Sequence, residues 1–273
     1  MRSPAILMPF IANRVYQWVP ALIDASWGLQ TIPHGIAYPL CSSLLCRQCG
    51  LLFLDIRFSD SEMGRLYQNY RDEAYTALRD HYEPGYRARN GRLLHGIGYM
   101  KEVEVFLSPY LPDTLRVLDW GGDTGVNTPF KSGAGNTIHI YDISGQETVG
   151  KLHKVSLQTA KQYAYDLVVC SNVLEHVPYP RQLIAQILGL MSPTTVLYIE
   201  VPLESLVKAH SDTTQLLQHK RHWHEHINFF SKASIEALIS VMGLKLLNYR
   251  QLDVQNSERP YTQLLIACSK GGV

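Results

Sequence analysis

Residues Leu115 to Gly125 read Leu-Arg-Val-Leu-Asp-Trp-Gly-Gly-Asp-Thr-Gly. The apolar run Leu115-Arg116-Val117-Leu118 stops at Asp119 and then at a cluster of glycines, as a buried parallel strand does when it ends in a tight turn before a helix. Gly121, Gly122 and Gly125 can take positive φ and carry no Cβ, so backbone N–H groups there can approach a bound ligand. A turn of this composition is also common as plain structural punctuation, and taken alone it leaves both readings open.

The next segment, Thr137-Ile138-His139-Ile140-Tyr141-Asp142, reads as a second strand that closes on an acid. Asp142 stands one strand-helix-strand unit beyond the turn, near the ~20-residue spacing at which nucleoside-binding α/β folds set a carboxylate against ribose hydroxyls. With both signals in place, the chain resembles the class I S-adenosylmethionine-dependent methyltransferases. Their first motif is acid-x-Gly-x-Gly-x-Gly, followed by an acid at the end of the second strand. Here it stands as Asp119-Trp120-Gly121-Gly122-Asp123-Thr124-Gly125, with Asp123 in place of the middle glycine. The resemblance implies S-adenosyl-L-methionine as cofactor, bound by Asp119, Trp120, Gly121, Gly122, Gly125 and Asp142. Asp123 tolerates a left-handed backbone better than most residues. Its carboxylate could meet the cofactor's ammonium, or its presence could alter cofactor binding.

The 273 residues are 46% hydrophobic and 18% charged, ample for a packed interior with or without an accessory piece. A formal net charge of +1, with no stripe of Lys and Arg, gives no electrostatic footprint for nucleic acid. No apolar run reaches the ~18 residues of a membrane-spanning helix. The apolar segment Ala5 to Ile11 is broken by Pro9 and lacks a small-residue cleavage site, so a cytoplasmic protein is expected. Five cysteines, with Cys170 and Cys268 isolated in apolar runs, argue against a disulfide framework.

Residues 1–85 have a different texture and are read as an accessory region, with 86–273 as the main domain. Cys46-Arg47-Gln48-Cys49-Gly50 is the turn that presents two thiolates to a zinc ion in zinc ribbons. A structural zinc needs four ligands, and only Cys41 and His34 could extend the set, in an irregular arrangement; free thiols in a hairpin are the competing reading. Leu51 to Asp55 is strand-like. Ser59-Asp60-Ser61-Glu62 opens a helix that carries Tyr67, Tyr70 and Tyr75, followed by Tyr82 and Tyr86. Tyrosines at this spacing mostly half-bury as an amphipathic face. The sugar C-methyltransferases, a branch of the same superfamily, have an N-terminal zinc-binding region that ends in Cys-x-x-Cys-Gly and a tyrosine-bearing segment over the substrate. This chain is similar in the second half of that region only. The resemblance implies substrate contacts for Tyr70 and Tyr75 and a metal role for Cys46 and Cys49, to which Cys41 adds a third thiol by its nearness in the chain.

From Tyr86 to Tyr110 the pattern is helical, with Leu93, Leu94, Ile97, Met100, Val103 and Phe106 at three- and four-residue steps, weakened locally by Gly96 and Gly98. Strand and helix then alternate. Lys154-Val155-Ser156 is a short third strand, Tyr165 to Asn172 a buried fourth and Thr195 to Val201 a fifth. Helices are expected over Pro180 to Met191 and from Ser231 through Met242. Two successive strands end the chain, Leu244 to Val254 and Tyr261 to Ser269. This order predicts an α/β fold with a Rossmann-like, seven-stranded methyltransferase sheet, mostly parallel with one antiparallel strand near the C-terminus.

The fourth strand leads into Ser171-Asn172-Val173-Leu174-Glu175-His176-Val177-Pro178. Open α/β sheets bind ligands beyond the carboxyl ends of their strands, which puts Ser171, Asn172 and Leu174 on the cofactor side and His176 near substrate or cofactor. A second cluster, Arg221-His222-Trp223-His224-Glu225-His226-Ile227-Asn228-Phe229-Phe230, precedes the Ser231-capped helix. It could bind metal, form a polar loop against the sheet, or be a catalytic loop. The metal reading is weakened because His-Glu-x-x-His helix spacing is absent. Sugar C-methyltransferases carry a similar aromatic-x-Glu-His segment. The resemblance implies that Glu225 and His226 belong to the acid/base machinery and Trp223 and Asn228 to the acceptor wall, with His224 beside them. The acceptor's proton then makes His226 the expected general base, Glu225 the group that orients or polarises it and His176 a second proton handler or oxyanion partner.

The expected function is therefore methyl transfer to a small-molecule acceptor, a sugar, nucleotide sugar or glycan precursor, at carbon or oxygen. A catalytically silent cofactor-binding or scaffold protein is the alternative. A nucleotide-dependent oxidoreductase fits less well, because the glycine spacing of the dinucleotide fingerprint and the last two strands do not match.

Overall fold

Alternation at the N-terminus forms β1 (Arg2–Leu7), which buries Ala5 and Leu7 and leads into α1 (Pro9–Tyr16). Pro9 sits in the first turn of that helix, where a missing N–H leaves nothing unpaired. β2 (Ala21–Ile23) and β3 (Gly35–Ala37) make a two-stranded ribbon. β4 (Leu40–Leu45) pairs antiparallel with both β1 and β5 (Leu52–Leu54), and the Cys46–Cys49 turn joins β4 to β5. The computed structural model describes residues 1–93, 96–210, 212–255 and 260–271.

The tyrosine-bearing helix expected after Ser59 is divided into α2 (Asp60–Tyr67) and α3 (Glu73–Tyr82). Ser59 and Glu62 form the reciprocal capping box that opens α2, but Asn69 and Arg71 take φ of 54° and 63° and turn the chain before Asp72 caps α3. The pattern from Tyr86 to Tyr110 likewise divides, into α4 (Tyr86–Leu93) and α5 (Met100–Leu107), with Gly96 at φ 90° between them. Leu94 lies outside the described residues.

The alternation that follows is β6 (Arg116–Trp120), β7 (Thr137–Tyr141), β8 (His153–Lys154), α6 (Leu157–Ala160), β9 (Leu167–Ser171), α7 (Pro180–Leu188) and β10 (Val196–Leu203). After β10 come α8 (Ser205–Ala209), α9 (Thr213–His219), β11 (His222–Trp223), β12 (Asn228–Phe229), α10 (Lys232–Val241), β13 (Leu244–Val254) and β14 (Tyr261–Lys270). Seven of these strands form one sheet in the order β13-β14-β10-β9-β6-β7-β8. Pairing is parallel from β8 across to β10, and β14 runs antiparallel to both β10 and β13. Successive strand residues enter opposite cores. Val117 and Val169 join Val103 and Phe106 of α5 on one face, while Leu118 and Cys170 join Ile184 and Ile187 of α7 and Ile235 of α10 on the other. This is the methyltransferase sheet that the order of elements predicts.

The smaller sheet has the order β11-β1-β4-β5-β12. Its central strands come from the N-terminus and both edge strands from the segment after β10, so the layer read as residues 1–85 is completed by residues 222–229. Its core joins Leu7, Phe10, Leu52, Phe58 and Tyr75 to Trp223, Ile227 and Phe229. The histidine-rich segment is thereby pinned between the two sheets instead of hanging as a surface loop.

Candidate active site

The register of β6 against β7 pairs Trp120 with Tyr141, which brings the glycine turn beside Asp142. The Gly121 N–H donates to the Tyr141 carbonyl at 2.7 Å. Asp142 accepts from the Asp123 N–H at 2.8 Å and from the Ser144 N–H at 2.6 Å. Asp123 takes φ 52°, the left-handed conformation its middle-glycine position requires, and its carboxylate lies 3.7 Å from the Arg71 guanidinium. Gly121 has φ 80°, and a Cβ there would fall 2.5 Å from Val173 Cγ2, so any side chain would be strained and would have to displace Val173. Beneath the turn, Asp119 is buried and accepts from Thr128 Oγ1 at 2.5 Å. Burial pushes its carboxyl up to about 7 against that hydrogen bond, and the nearby Asp142 and Glu200 charges add to the rise.

Two cavities share Gly121 in their walls. One, of about 250 Å³, lies against Trp120, Tyr141, Asp142, Ile143 and Val173. The other, of about 340 Å³, is lined by Tyr70, Arg71, Asp119, Gly122, Asp123, Ser171 and Asn172 on one side and by Glu175, His176, Glu225 and His226 on the other. Tyr99, Tyr261 and Gln263 complete this second wall. There a buried network joins Tyr99 and Tyr198 to Glu200, each at 2.5 Å, and Asn172 to Glu200 and Gln263 at 3.2 and 3.1 Å.

His176 and His226 meet edge to face with ring centroids 4.6 Å apart. His226 Nδ1 donates to Glu204 Oε1 at 2.6 Å, and His176 Nδ1 donates to the Glu225 backbone carbonyl at 3.2 Å. Burial works against a charge on His226, but the hydrogen bond and charge of Glu204, with Glu175 and Glu225 nearby, raise its imidazole to about 9. Burial, reinforced by His226, pushes His176 down to about 3. Burial raises the Glu175 carboxyl to about 8, and neither of its oxygens has a hydrogen-bond partner among the described residues. The Glu225 carboxylate feels the same burial, yet Arg79 at 2.8 Å holds it at about 2.

Several sequence-based assignments move. Glu225 turns its carboxylate to Arg79, so it does not orient His226; Glu204 stands in that place. Trp223 is fully buried in the smaller layer, with its Nε1–H on Ser43 Oγ at 2.8 Å, and forms no acceptor wall. Asn228 is also buried and uses its amide to hold the Leu174 and Val177 carbonyls. His224 faces Glu83 at 3.0 Å. Tyr75 packs among Phe10, Tyr70 and Tyr86 in the layer's core, while Tyr70 does line the larger cavity. Gly125 packs against Ile140 and Leu152 and Leu174 is buried in the core, and neither lines either cavity.

Cys46 and Cys49 share the β4–β5 turn, where backbone N–H groups lower the first thiol and burial raises the second. Cys41 is buried in β4, its thiol pushed up to about 12 by burial. These three make no common ligand set: among the described residues, the one group of three His, Cys, Asp or Glu ligand atoms within 4.8 Å of one another is Glu175, His176 and His226.

Glu204, Glu175, Arg71 and Arg79 were not singled out from the sequence. Glu204 follows β10 at the same carboxyl edge as Asp142 and Asn172, and an acid at that edge is the signal that could have found it. Arg71 and Arg79 come from the accessory layer and carry no local signal.

The sequence profile of the family described as Methyltransferase domain matches residues 92–249, more than half of the chain. No curated protein sequence matches. Among solved structures, the 1,6-didemethyltoxoflavin-N1-methyltransferase of Burkholderia thailandensis, bound to 1,6-didemethyltoxoflavin and S-adenosylhomocysteine, superposes with a TM-score of 0.52 at 14% identity, covering 93% of this chain and 99% of that one. Magnesium protoporphyrin IX methyltransferase of Synechocystis PCC 6803, bound to S-adenosylhomocysteine, gives a TM-score of 0.45 at 17% identity, covering 72% of this chain and 99% of that one. The chain belongs to the methyltransferase-domain family and is an S-adenosylmethionine-dependent methyltransferase.

The residues present fit that methyl donor. Asp142 and the apolar wall of Trp120, Tyr141 and Ile143 suit a nucleoside. Arg71, whose buried Nε has no hydrogen-bond partner among the described residues, suits a carboxylate in the larger cavity. When bound, the donor supplies an activated methyl group on a sulfonium.

Proposed function

We propose that this enzyme, acting in the cytoplasm, methylates an oxygen or carbon of a small polyhydroxylated acceptor: a sugar, nucleotide sugar or glycan precursor. The observation that carries the reading is the placement of His176 and His226 in the same cavity wall as the glycine turn. Tyr70, Arg71, Asn172, Tyr261 and Gln263 line the same cavity with donors and acceptors suited to hydroxyl groups.

Methyl transfer from a sulfonium is an in-line displacement with a leaving group already activated, so the protein mainly aligns the reacting atoms. Such alignment is worth roughly 7 to 11 kcal/mol. The acceptor's proton is what remains, and a positioned histidine contributes about 10²- to 10⁴-fold. Carbonyl and carboxylate oxygens can only accept, so the bonds to Glu225 and Glu204 put a proton on both Nδ1 atoms and leave Nε2 as the atom that exchanges a proton with the acceptor. That Nε2 is unprotonated on His176, which burial holds down, and protonated on His226, which Glu204 holds up. Tyr67, edge-on to His176 at 5.9 Å, and Tyr70 cover the site from the accessory layer.

The test is transfer of labelled methyl from S-adenosylmethionine to a panel of nucleotide sugars, sugar phosphates and non-carbohydrate phenols and amines. Label in the carbohydrate fraction that falls at least tenfold in His176→Ala and His226→Ala supports the reading. Label confined to the non-carbohydrate acceptors overturns it.

A further inference from the structure

We propose that Glu175, His176 and His226 form a binding site for a divalent first-row transition-metal ion in the wall of the acceptor cavity. Each offers one ligand atom, and the three atoms lie within 4.8 Å of one another. His176 Nε2 and Glu175 Oε1 are already 3.9 Å apart. Ligand atoms around a zinc-sized ion stand roughly 3 to 3.5 Å from each other, which small side-chain rotations reach from this arrangement.

Three further features point to a cation. Glu175 is 1% exposed and lines the cavity, yet both of its carboxylate oxygens lack a hydrogen-bond partner among the described residues. Its structural work is done by the backbone, whose carbonyl accepts the Ile227 and Asn228 N–H groups at 2.7 and 3.0 Å, so the side chain is left for something else. A buried carboxyl group with neither oxygen hydrogen-bonded is costly, and a bound cation would satisfy both oxygens.

Both imidazoles, moreover, are held as metal-ligating histidines are. One Nδ1 donates to a carboxylate and the other to a backbone carbonyl, which leaves Nε2 as the remaining ligand atom of each ring, any proton on it being released as the ion binds. Two imidazoles and one carboxylate suit zinc, iron, manganese or cobalt better than magnesium or calcium, and three protein ligands leave a position open on the cavity side.

The inference rests on the acceptor-pocket reading above and changes how the acceptor loses its proton. An acceptor hydroxyl oxygen bound to the ion releases its proton to solvent. That oxygen then bonds to the methyl carbon as the carbon–sulfur bond breaks, with the electron pair leaving on sulfur and the ion unchanged. The two histidines then act as ligands and not as free bases, which favours an oxygen acceptor.

The test begins with metal analysis of the full-length protein purified without chelator. Calorimetric titration of the chelator-treated protein with Zn²⁺, Mn²⁺ and Mg²⁺ alone follows. The expected result is about one Zn²⁺ or Mn²⁺ bound per chain, at least tenfold weaker in Glu175→Gln and in His176→Gln and unchanged in Cys46→Ser/Cys49→Ser. Circular dichroism selects whichever of the first two variants is folded. No binding by the wild type, equal binding by a folded Glu175→Gln variant, or loss only in the cysteine variant overturns the proposal. Carbohydrate methylation that persists in metal-free enzyme removes the ion and spares the acceptor reading. An ion bound at Glu175 with no carbohydrate methylated does the reverse.

Discussion

Glu204 accepts a hydrogen bond from Nδ1 of His226 at 2.6 Å, whereas Glu225, the acid next to that histidine in the chain, faces Arg79. Glu204 arrives from the end of β10, so the acid that aims the imidazole is supplied by the sheet. Replacing Glu204 with Ala frees the ring to rotate. Turnover should fall about 10- to 100-fold while S-adenosylhomocysteine binding, measured by calorimetry, changes less than about threefold. Unchanged turnover would remove Glu204 from the site.

The Arg79–Glu225 pair is buried on both sides, with side-chain exposures of 6% and 14%, and Arg79 also meets Glu83 at 3.2 Å. It ties α3 of the smaller layer to the histidine segment. Arg79→Met strands the Glu225 carboxylate in the interior and should cost about 3 to 5 kcal/mol in urea unfolding. A loss below about 1 kcal/mol would mean that solvent reaches the carboxylate.

Asp142 braces the glycine turn through the Asp123 N–H and faces the cavity assigned to the nucleoside. Charge-assisted hydrogen bonds are worth about 1.5 to 3 kcal/mol each, so Asp142→Ala should weaken S-adenosylhomocysteine binding by at least about tenfold. Its signature is the opposite of the Glu204 variant, with the dissociation constant moving more than the turnover of saturated enzyme.

Asp119 carries a pH dependence of stability. Its folded value, raised by burial to about 7, lies above the roughly 3.9 of an unfolded aspartate, so the folded state holds a proton that the unfolded chain releases. The stabilisation is fully present below about pH 4 and is lost as pH rises through about 7. Asp119→Asn removes this linkage. Urea unfolding of both proteins at about pH 5 and pH 8 should show the wild type losing roughly 2 to 4 kcal/mol relative to the variant. Parallel losses would mean that Asp119 is ionised in the fold.

The elements legible in the sequence are those whose signals are local. The run Leu115 to Leu118 and the acid ending at Asp142 were legible because strand periodicity and turn chemistry act over a few residues. The left-handed backbone at Asp123 followed from its glycine position in the same way. The one tyrosine-bearing helix expected after Ser59 becomes two because Asn69 and Arg71, neither of them glycine, take the left-handed conformation that breaks the run. Trp223 and Asn228 enter the core instead of the acceptor wall that the resemblance implies, because β11 and β12 pair with β1 and β5, a pairing between distant segments that no local pattern encodes.

The sequence by itself determined the seven-stranded sheet, the glycine turn at its carboxyl edge and the acid beside it, since apolar alternation and backbone sterics are encoded residue by residue. Only the tertiary structure decided which acid serves which histidine, which aromatics enter the core, and that Glu175 is left buried beside two aimed imidazoles. Those relationships arise where strands and layers distant in the chain close on one another. Burial and hydrogen-bond satisfaction, unlike periodicity, are properties of the packed whole.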